Sequence, residues 1–405
     1  MEKFKVLLTS VLLVSLFFNS LYLWSQIHNM AAGNGDFVIF YTGAQMLVAG
    51  RGGQLYDLKT QKMFQDKFKV PIRDGPLPYN HPPYELLLFL PLTYFSFSTA
   101  HAIWSFLSVA LLGLMLLLID PFLDGKNRWL YAIMLIAFFP TVTTILYGQD
   151  SILSAFLMAG LFYQLKRNRH LAAGSILALG LYKPQLILPM ACFLFYKRCW
   201  GVITSFIVTG ALILTISIML VGWDGIQEFA AMARLVDRLK YTIEPANMAN
   251  IRGLLETLFG LAGLSNLNFA ILFSSVLLLV WSLHCCTRHF DSSNQLFDME
   301  FSFIAVITLL ISYHLYAHDL TLLALPTILT LNSHFGERQN DGWRSHALQL
   351  IVLMFWFPLA LLVLIQHQIL YLASIPIMLF AFVLAKEIFH TRVKTLDVTI
   401  EPLQA

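Results

Sequence analysis

The sequence predicts an all-α polytopic membrane protein, a bundle of about 10–14 transmembrane or half-membrane helices with a structured first external loop. Three observations predict it. The 405 residues are 58% hydrophobic and 12% charged, with mean hydropathy +0.70, whereas soluble domains carry roughly 25% charge. Apolar runs recur along the whole chain. Short Lys/Arg clusters fall between those runs, as they do where loops stay on the cytoplasmic side.

The elements follow in order. Lys3 and Lys5 precede an apolar run over 6–27, longer than the roughly 7–15 apolar residues of a signal peptide; it reads as a retained first helix. Further candidate spans are 84–95, 98–119, 129–147, 150–165, 171–182, 184–196, 201–222, 268–287, 298–316, 318–331, 346–366 and 369–385. Several are shorter than the ~20 residues a straight crossing needs, so they read as half-helices lining polar protein. The clusters Lys166/Arg167/Arg169, Lys197/Arg198, Arg288, Arg338/Arg344 and Lys386/Arg392/Lys394 mark inside segments and place both termini inside. Residues 28–83, 223–251 and the turn near 313–319 are then outside. Lys126 and Arg128 allow two arrangements: 84–95 as a re-entrant piece, or 84–95 as a crossing with 129–147 split at Pro140.

The whole chain reads as one membrane domain. Its first external loop, 28–83, has the look of ordered chain: an amphipathic stretch from Phe37 to Val48 with interfacial aromatics, the turn "AGRGGQLYD", the helix-like "LKTQKMFQDKF", and a proline-rich end. No internal repeat is evident. The net charge of +3 is small and scattered, which speaks against nucleic acid as a partner. Cys192, Cys199, Cys285 and Cys286 have no zinc spacing and are expected as free thiols.

Six polar interruptions could carry chemistry. Asp36, in "GDF", stands just outside the first span. It suits either the N-cap of the following helix or a general base at the membrane surface. In "LPYNHPPYELL", tandem prolines hold Tyr79, Asn80 and His81 at a rim. Lys183, in "LALGLYKPQLILP", sits at the tip of a hairpin over 171–196; an ammonium there is costly in lipid and suits a phosphate. Arg252 opens a helix in "ANMANIRGLLETL", a natural anion site. His314, His318 and Asp319 crowd "SYHLYAHDLTLLALP". The histidines are four apart, one helix face, but lack the Glu of a metal motif, so hydrogen bonding to phosphate or sugar is preferred. "LYGQDSI" adds Gln149 and Asp150 and is the least specific. On the assigned topology these residues gather at the external side.

The order of "GDFVIFYTGAQMLVAGRGGQLYD", "YNHPPYELLLFLPL", "AHAIW", "GQDSILSAFL", "RNRHLAAGSILALGLYKPQLIL" and "NIRGLL" resembles the bacterial polyprenyl-phosphate-mannose-dependent mannosyltransferases of the GT-C glycosyltransferase superfamily, formerly a domain of unknown function. The resemblance covers roughly residues 30–330. It implies a GT-C-type bundle in the cell inner (plasma) membrane, with its active site facing outward. It implies a polyprenyl-phosphate-linked sugar as donor and an acceptor hydroxyl on a lipid, glycan or protein. It also implies Asp36 as catalytic base, Lys183 and Arg252 as holders of the donor phosphate, and His318 facing the donor. Tyr79, His81, Gln149, His314 and Asp319 complete the expected donor site. The "HD" turn differs from the actinobacterial members, whose turn looks like a tryptophan-containing double-histidine stretch. One base without a second carboxylate predicts inversion, and a lipid monophosphate held by cations needs no cofactor and no obligatory metal. The rival readings are a secondary transporter or lipid flippase, and an O-antigen ligase or polymerase.

Overall fold

In lipid only a helix satisfies its own backbone within one segment, so long apolar runs fold as helices. The computed structural model describes residues 2–29, 35–68, 76–236, 244–263, 267–336 and 342–400. Among these residues there are helices, 3-10 segments and turns, and no strand. The chain opens with α1 (Glu2–Asn29), then α2 (Phe37–Val48) and α3 (Leu58–Gln65). Two 3-10 segments follow, Pro83–Leu88 and Leu90–Tyr94, and lead into α4 (Phe97–Ile119). The middle of the chain forms α5 (Arg128–Ala137), α6 (Phe139–Tyr147), α7 (Ser151–Lys166), α8 (His170–Leu179), α9 (Pro184–Tyr196) and α10 (Trp200–Val236). After these come α11 (Ile251–Leu261), α12 (Asn268–Cys285), α13 (Gln295–Ile311), α14 (Ala324–Gly336), α15 (Trp343–Trp356), α16 (Pro358–Gln366) and α17 (Ser374–Ile400).

Among the described residues, five helices are long and apolar enough to cross a membrane, or up to seven if the bent pairs α5–α6 and α15–α16 each count as one span. The bends are 49° and 60°. Both fall where a proline enters the first turn of the second helix, Pro140 and Pro358, which cannot donate to the preceding turn. The outer faces confirm lipid as the solvent. Helix α12 buries only Ile271 and Ser282, leaving Phe269, Leu272, Phe273, Val276, Leu277 and Val280 exposed. A patch of that size is not stable in water. The all-α polytopic class is therefore met.

The run 84–95 is not a crossing. At roughly 2 Å of rise per residue, two short 3-10 segments fall well short of ~30 Å of hydrocarbon, as the re-entrant arrangement requires. The run 129–147 is broken as well, at Phe138. The expected spans 298–316 and 318–331 are shorter than drawn: α13 ends at Ile311, and 312–323 form a loop and a 3-10 turn. His314 therefore lies in loop and His318 in the 3-10 turn, so the two histidines do not share a helix face.

Two apolar cores hold the bundle. The larger surrounds α13, where every position from Phe297 to Leu310 except Asp298 is buried, and includes Phe138 stacked on Trp356 with centroids 4.3 Å apart. The second core belongs to the segment expected to be external. Phe37, Phe40 and Tyr41 of α2 pack with Phe89, Phe97 and Trp104, and Phe40 stacks on Phe89 at 4.8 Å. The aromatics of α2, expected at the membrane interface, are thus interior. Gly222 closes this core from the other side. Its φ of +76° is a conformation favoured by glycine; it breaks α10, and Met232 and Val236 beyond the break pack on the same core. The four cysteines are free thiols.

Candidate active site

The site is organised by the elbow between α6 and α7. Gly148 ends α6 with φ +68°, and a Cβ there would lie 2.5 Å from Phe37 Cβ. Glycine thus lets the elbow press directly onto the start of α2. The contact aligns Gln149 with Asp36, and Gln149 Nε2 donates to Asp36 Oδ2 at 2.8 Å. Asp36 occupies the N-cap position of α2 but makes no capping bond with its side chain. The capping reading of this acid is not what the structure shows: the half-buried carboxylate turns away from its own helix towards the elbow.

The next two residues hold a buried charge cluster. Lys183 is 6% exposed. Its ammonium meets Asp150 Oδ1 at 2.6 Å and donates to Asp319 Oδ1 at 2.7 Å and Ser151 Oγ at 3.0 Å. An ammonium has three donors, so all are engaged and none is left for a substrate phosphate. Asp319 is equally committed. Its Oδ1 also accepts from Ser151 Oγ at 2.7 Å, and its Oδ2 accepts from Tyr316 N at 3.2 Å with His318 Nε2 at 3.5 Å. Thr144 Oγ1 donates to the His318 carbonyl at 3.1 Å, fixing that turn against α6.

Asp150 Oδ2 also lies 3.7 Å from His81 Nδ1, which sits 2.9 Å from Glu85 Oε2. His81, Glu85 and Asp150 bring one ligand atom each to within 4.8 Å of one another. They are the described residues whose donor set suits a metal ion, although Lys183 already places a cation on Asp150. Glu85 stands on the short 3-10 segment, outside the spans. Burial pushes its carboxyl up to about 8, with His81 opposing and Asp150 adding. Tyr79 belongs to the packing: it is 1% exposed, and its hydroxyl donates to Pro82 O at 2.9 Å. The Tyr79 hydroxyl and the Lys183 ammonium are thus both engaged by partners within the chain.

The remaining wall is built by α11 and the loop 312–316. Asn250 caps α11 by accepting from Gly253 N at 2.8 Å, and donates to Ser312 O at 2.6 Å. Ala249 N donates to Leu315 O at 2.9 Å. These bonds lay Arg252 over the Tyr313 ring at 4.0 Å, with Nε on Glu256 at 2.8 Å. Between Arg252 and the elbow stands Tyr316, stacked with His314 and packed beside His318. Burial pushes its phenol up, and the charges of Arg252, Asp319, Asp36 and Glu244 all act on it. Asp36, Arg252 and Asp319 thus lie near enough to act on the Tyr316 phenol, which His314 and His318 flank.

Sequence reasoning passed over Glu85 and Ser151 and ranked Asp150 last. Glu85 carried a usable signal, a lone acid in the apolar "PPYELLLF", since ionisable groups in such runs are functional or paired. Ser151 carried none.

A helical membrane bundle with charged side chains converging at one level is compatible with transferases and transporters alike. The comparison with known families separates them. The family model of glycosyltransferase family 87 matches residues 79–312, more than half of the chain, and the chain belongs to that family. It is an integral-membrane glycosyltransferase. Asp36, His314, His318 and Asp319 lie outside the matched stretch. No curated protein and no solved structure matches the chain.

Proposed function

We propose that this glycosyltransferase moves a hexose, mannose in the first instance, from a polyprenyl-phosphate carrier to an acceptor hydroxyl at the external face of the cell inner membrane, with inversion. The observation that carries the reading is the Asp36 carboxylate, turned off its helix and held at 2.8 Å by Gln149, whose neighbours Asp150 and Ser151 hold the buried charge cluster. A general base needs this: a fixed direction, with lone pairs left for the incoming proton. Asp36 takes the proton of the acceptor hydroxyl as its oxygen attacks the anomeric carbon. The bond to the lipid phosphate breaks on the opposite side, and the phosphate leaves as an anion.

Arg252, with His314 and His318, stabilises that anion. A guanidinium presents planar paired donors that match phosphate, and fixed donors aimed at developing charge supply the largest share of such catalysis. Lys183 acts one step back. By holding Asp150 and Asp319 it sets Gln149 on one side and His318 on the other. The acceptor is a lipid, a glycan or a protein.

The test uses membranes containing the full chain, incubated with radiolabelled polyprenyl-phosphate-mannose, with the product identified by mass spectrometry. Asp36→Asn is expected to lower turnover by about 10²–10⁴-fold while lipid donor still binds. Label arriving from a nucleotide sugar without a lipid intermediate overturns the donor assignment, and undiminished turnover in Asp36→Asn overturns the base.

A further inference from the structure

A cleft of about 800 Å³ lies at the opposite end of α9 from Lys183. Helix α9 has 13 residues and a rise of about 1.5 Å per residue, so the cleft and the charged cluster are well separated. Its walls come from α9, α10 and the end of α12, including Leu188, Cys192, Phe195, Ile203, Phe206 and Ile207, and they are almost wholly apolar. Leu188, Phe195 and Ile207 are exposed, so the cleft opens towards lipid.

Two guanidinium groups, Arg198 and Arg288, complete the lining. Both are exposed. Arg198 sits in the α9–α10 turn at φ +56°, and Arg288 lies over the Tyr196 ring at 5.4 Å. The neighbouring lysines are already neutralised. Lys197 pairs with Glu300 at 2.6 Å, and Lys166 with Asp298 at 2.7 Å. Among the described residues, no carboxylate lies within ion-pair distance of Arg198 or Arg288. Two uncompensated cations therefore border an apolar cleft, where the loops of this side meet the membrane.

We infer that this cleft binds an anionic glycerophospholipid from the leaflet on the basic side, its phosphate on Arg198 and Arg288 and its acyl chains along α9 and α10. The volume lies within the roughly 300–1,000 Å³ of pockets that enclose small ligands. Basic pockets between spanning helices recognise lipid headgroups, and guanidinium matches phosphate in a paired geometry. A zwitterionic lipid brings its own cation and gains less. The polyprenyl-phosphate donor is not the occupant: under the proposed function its phosphate engages Arg252 and the histidines. The lipid site does not depend on that function.

The experiment is native mass spectrometry of the full chain after reconstitution with equal amounts of phosphatidylglycerol and phosphatidylcholine. One phosphatidylglycerol is expected to remain bound in preference to phosphatidylcholine. The Arg198→Gln/Arg288→Gln variant is expected to lower its retention tenfold or more. Cys192→Trp, which fills the cleft without changing charge, is expected to do the same should the double variant fold poorly. Equal retention of the two lipids by the unaltered chain overturns the inference. So does retention unchanged in both variants, or displacement of phosphatidylglycerol by added polyprenyl phosphate.

Discussion

Replacing Lys183 by methionine tests whether the buried cation holds the site together or holds a substrate. Methionine keeps the length of the aliphatic stem and removes the charge. The ammonium is 6% exposed and touches Asp150 at 2.6 Å and Asp319 at 2.7 Å, on chain segments 136 residues apart in the latter case. Removing one partner of a buried ion pair leaves charge without compensation and costs about 3–5 kcal/mol. At 1.4 kcal/mol per decade, the folded-to-unfolded ratio falls by about 10²–10³ or more. The assay is thermal unfolding in lipid nanodiscs followed by tryptophan fluorescence, alongside the apparent affinity for the lipid donor. Lys183→Met is expected to unfold at clearly lower temperature. Adding Asp150→Asn and Asp319→Asn removes the stranded charges and is expected to restore most of the loss, a coupling that separate effects do not produce. If Lys183→Met melts like the parent and only weakens donor binding, the ammonium is a substrate ligand and the scaffold argument fails.

Three further outcomes are expected. Gln149→Ala frees the Asp36 carboxylate and should lower kcat about tenfold, the equivalent of one hydrogen bond of about 1.4 kcal/mol, with KM nearly unchanged; an effect confined to KM contradicts the positioning role. Gly148→Ala places a Cβ 2.5 Å from Phe37 Cβ at φ +68° and should cost about 1–3 kcal/mol in strain alone, whereas Gly260→Ala, which meets nothing within 4 Å, should be silent in the same melting assay. Glu85 holds its proton up to about 8 against an ordinary 4.5. Its contribution to stability is therefore full below pH 4.5 and is lost as pH rises through 8. Glu85→Gln should flatten that decline between pH 5 and 8, and a parent whose melting temperature does not fall over this range refutes the assignment.

The class of the fold was legible because composition reports the solvent. The hairpin tipped by Lys183, the proline-associated break within 129–147 and the ordered segment after the first helix were legible too, since apolar length, proline and turn residues act locally. Three features were not. The aromatics of α2 read as interfacial because sequence shows amphipathic residues but not the second core, formed with Phe89 and Trp104, that covers them. The partners of Lys183 are not neighbours in sequence, so an ammonium already saturated looks the same as one awaiting phosphate. Tyr79 read as a rim residue because the prolines beside it suggest exposure, while its hydroxyl turns back onto Pro82. The pairing of Asp36 with Gln149 and of Ser151 with Asp319 was not visible in the sequence, because it comes from the elbow.

The elbow at Gly148 also links two parts of the site. Gln149, Asp150 and Ser151 are consecutive, so the hydrogen-bond partner of Asp36 and two partners of the buried ammonium sit on a single turn. A displacement of this turn would therefore shift the partner of Asp36 and the partner of Lys183 together.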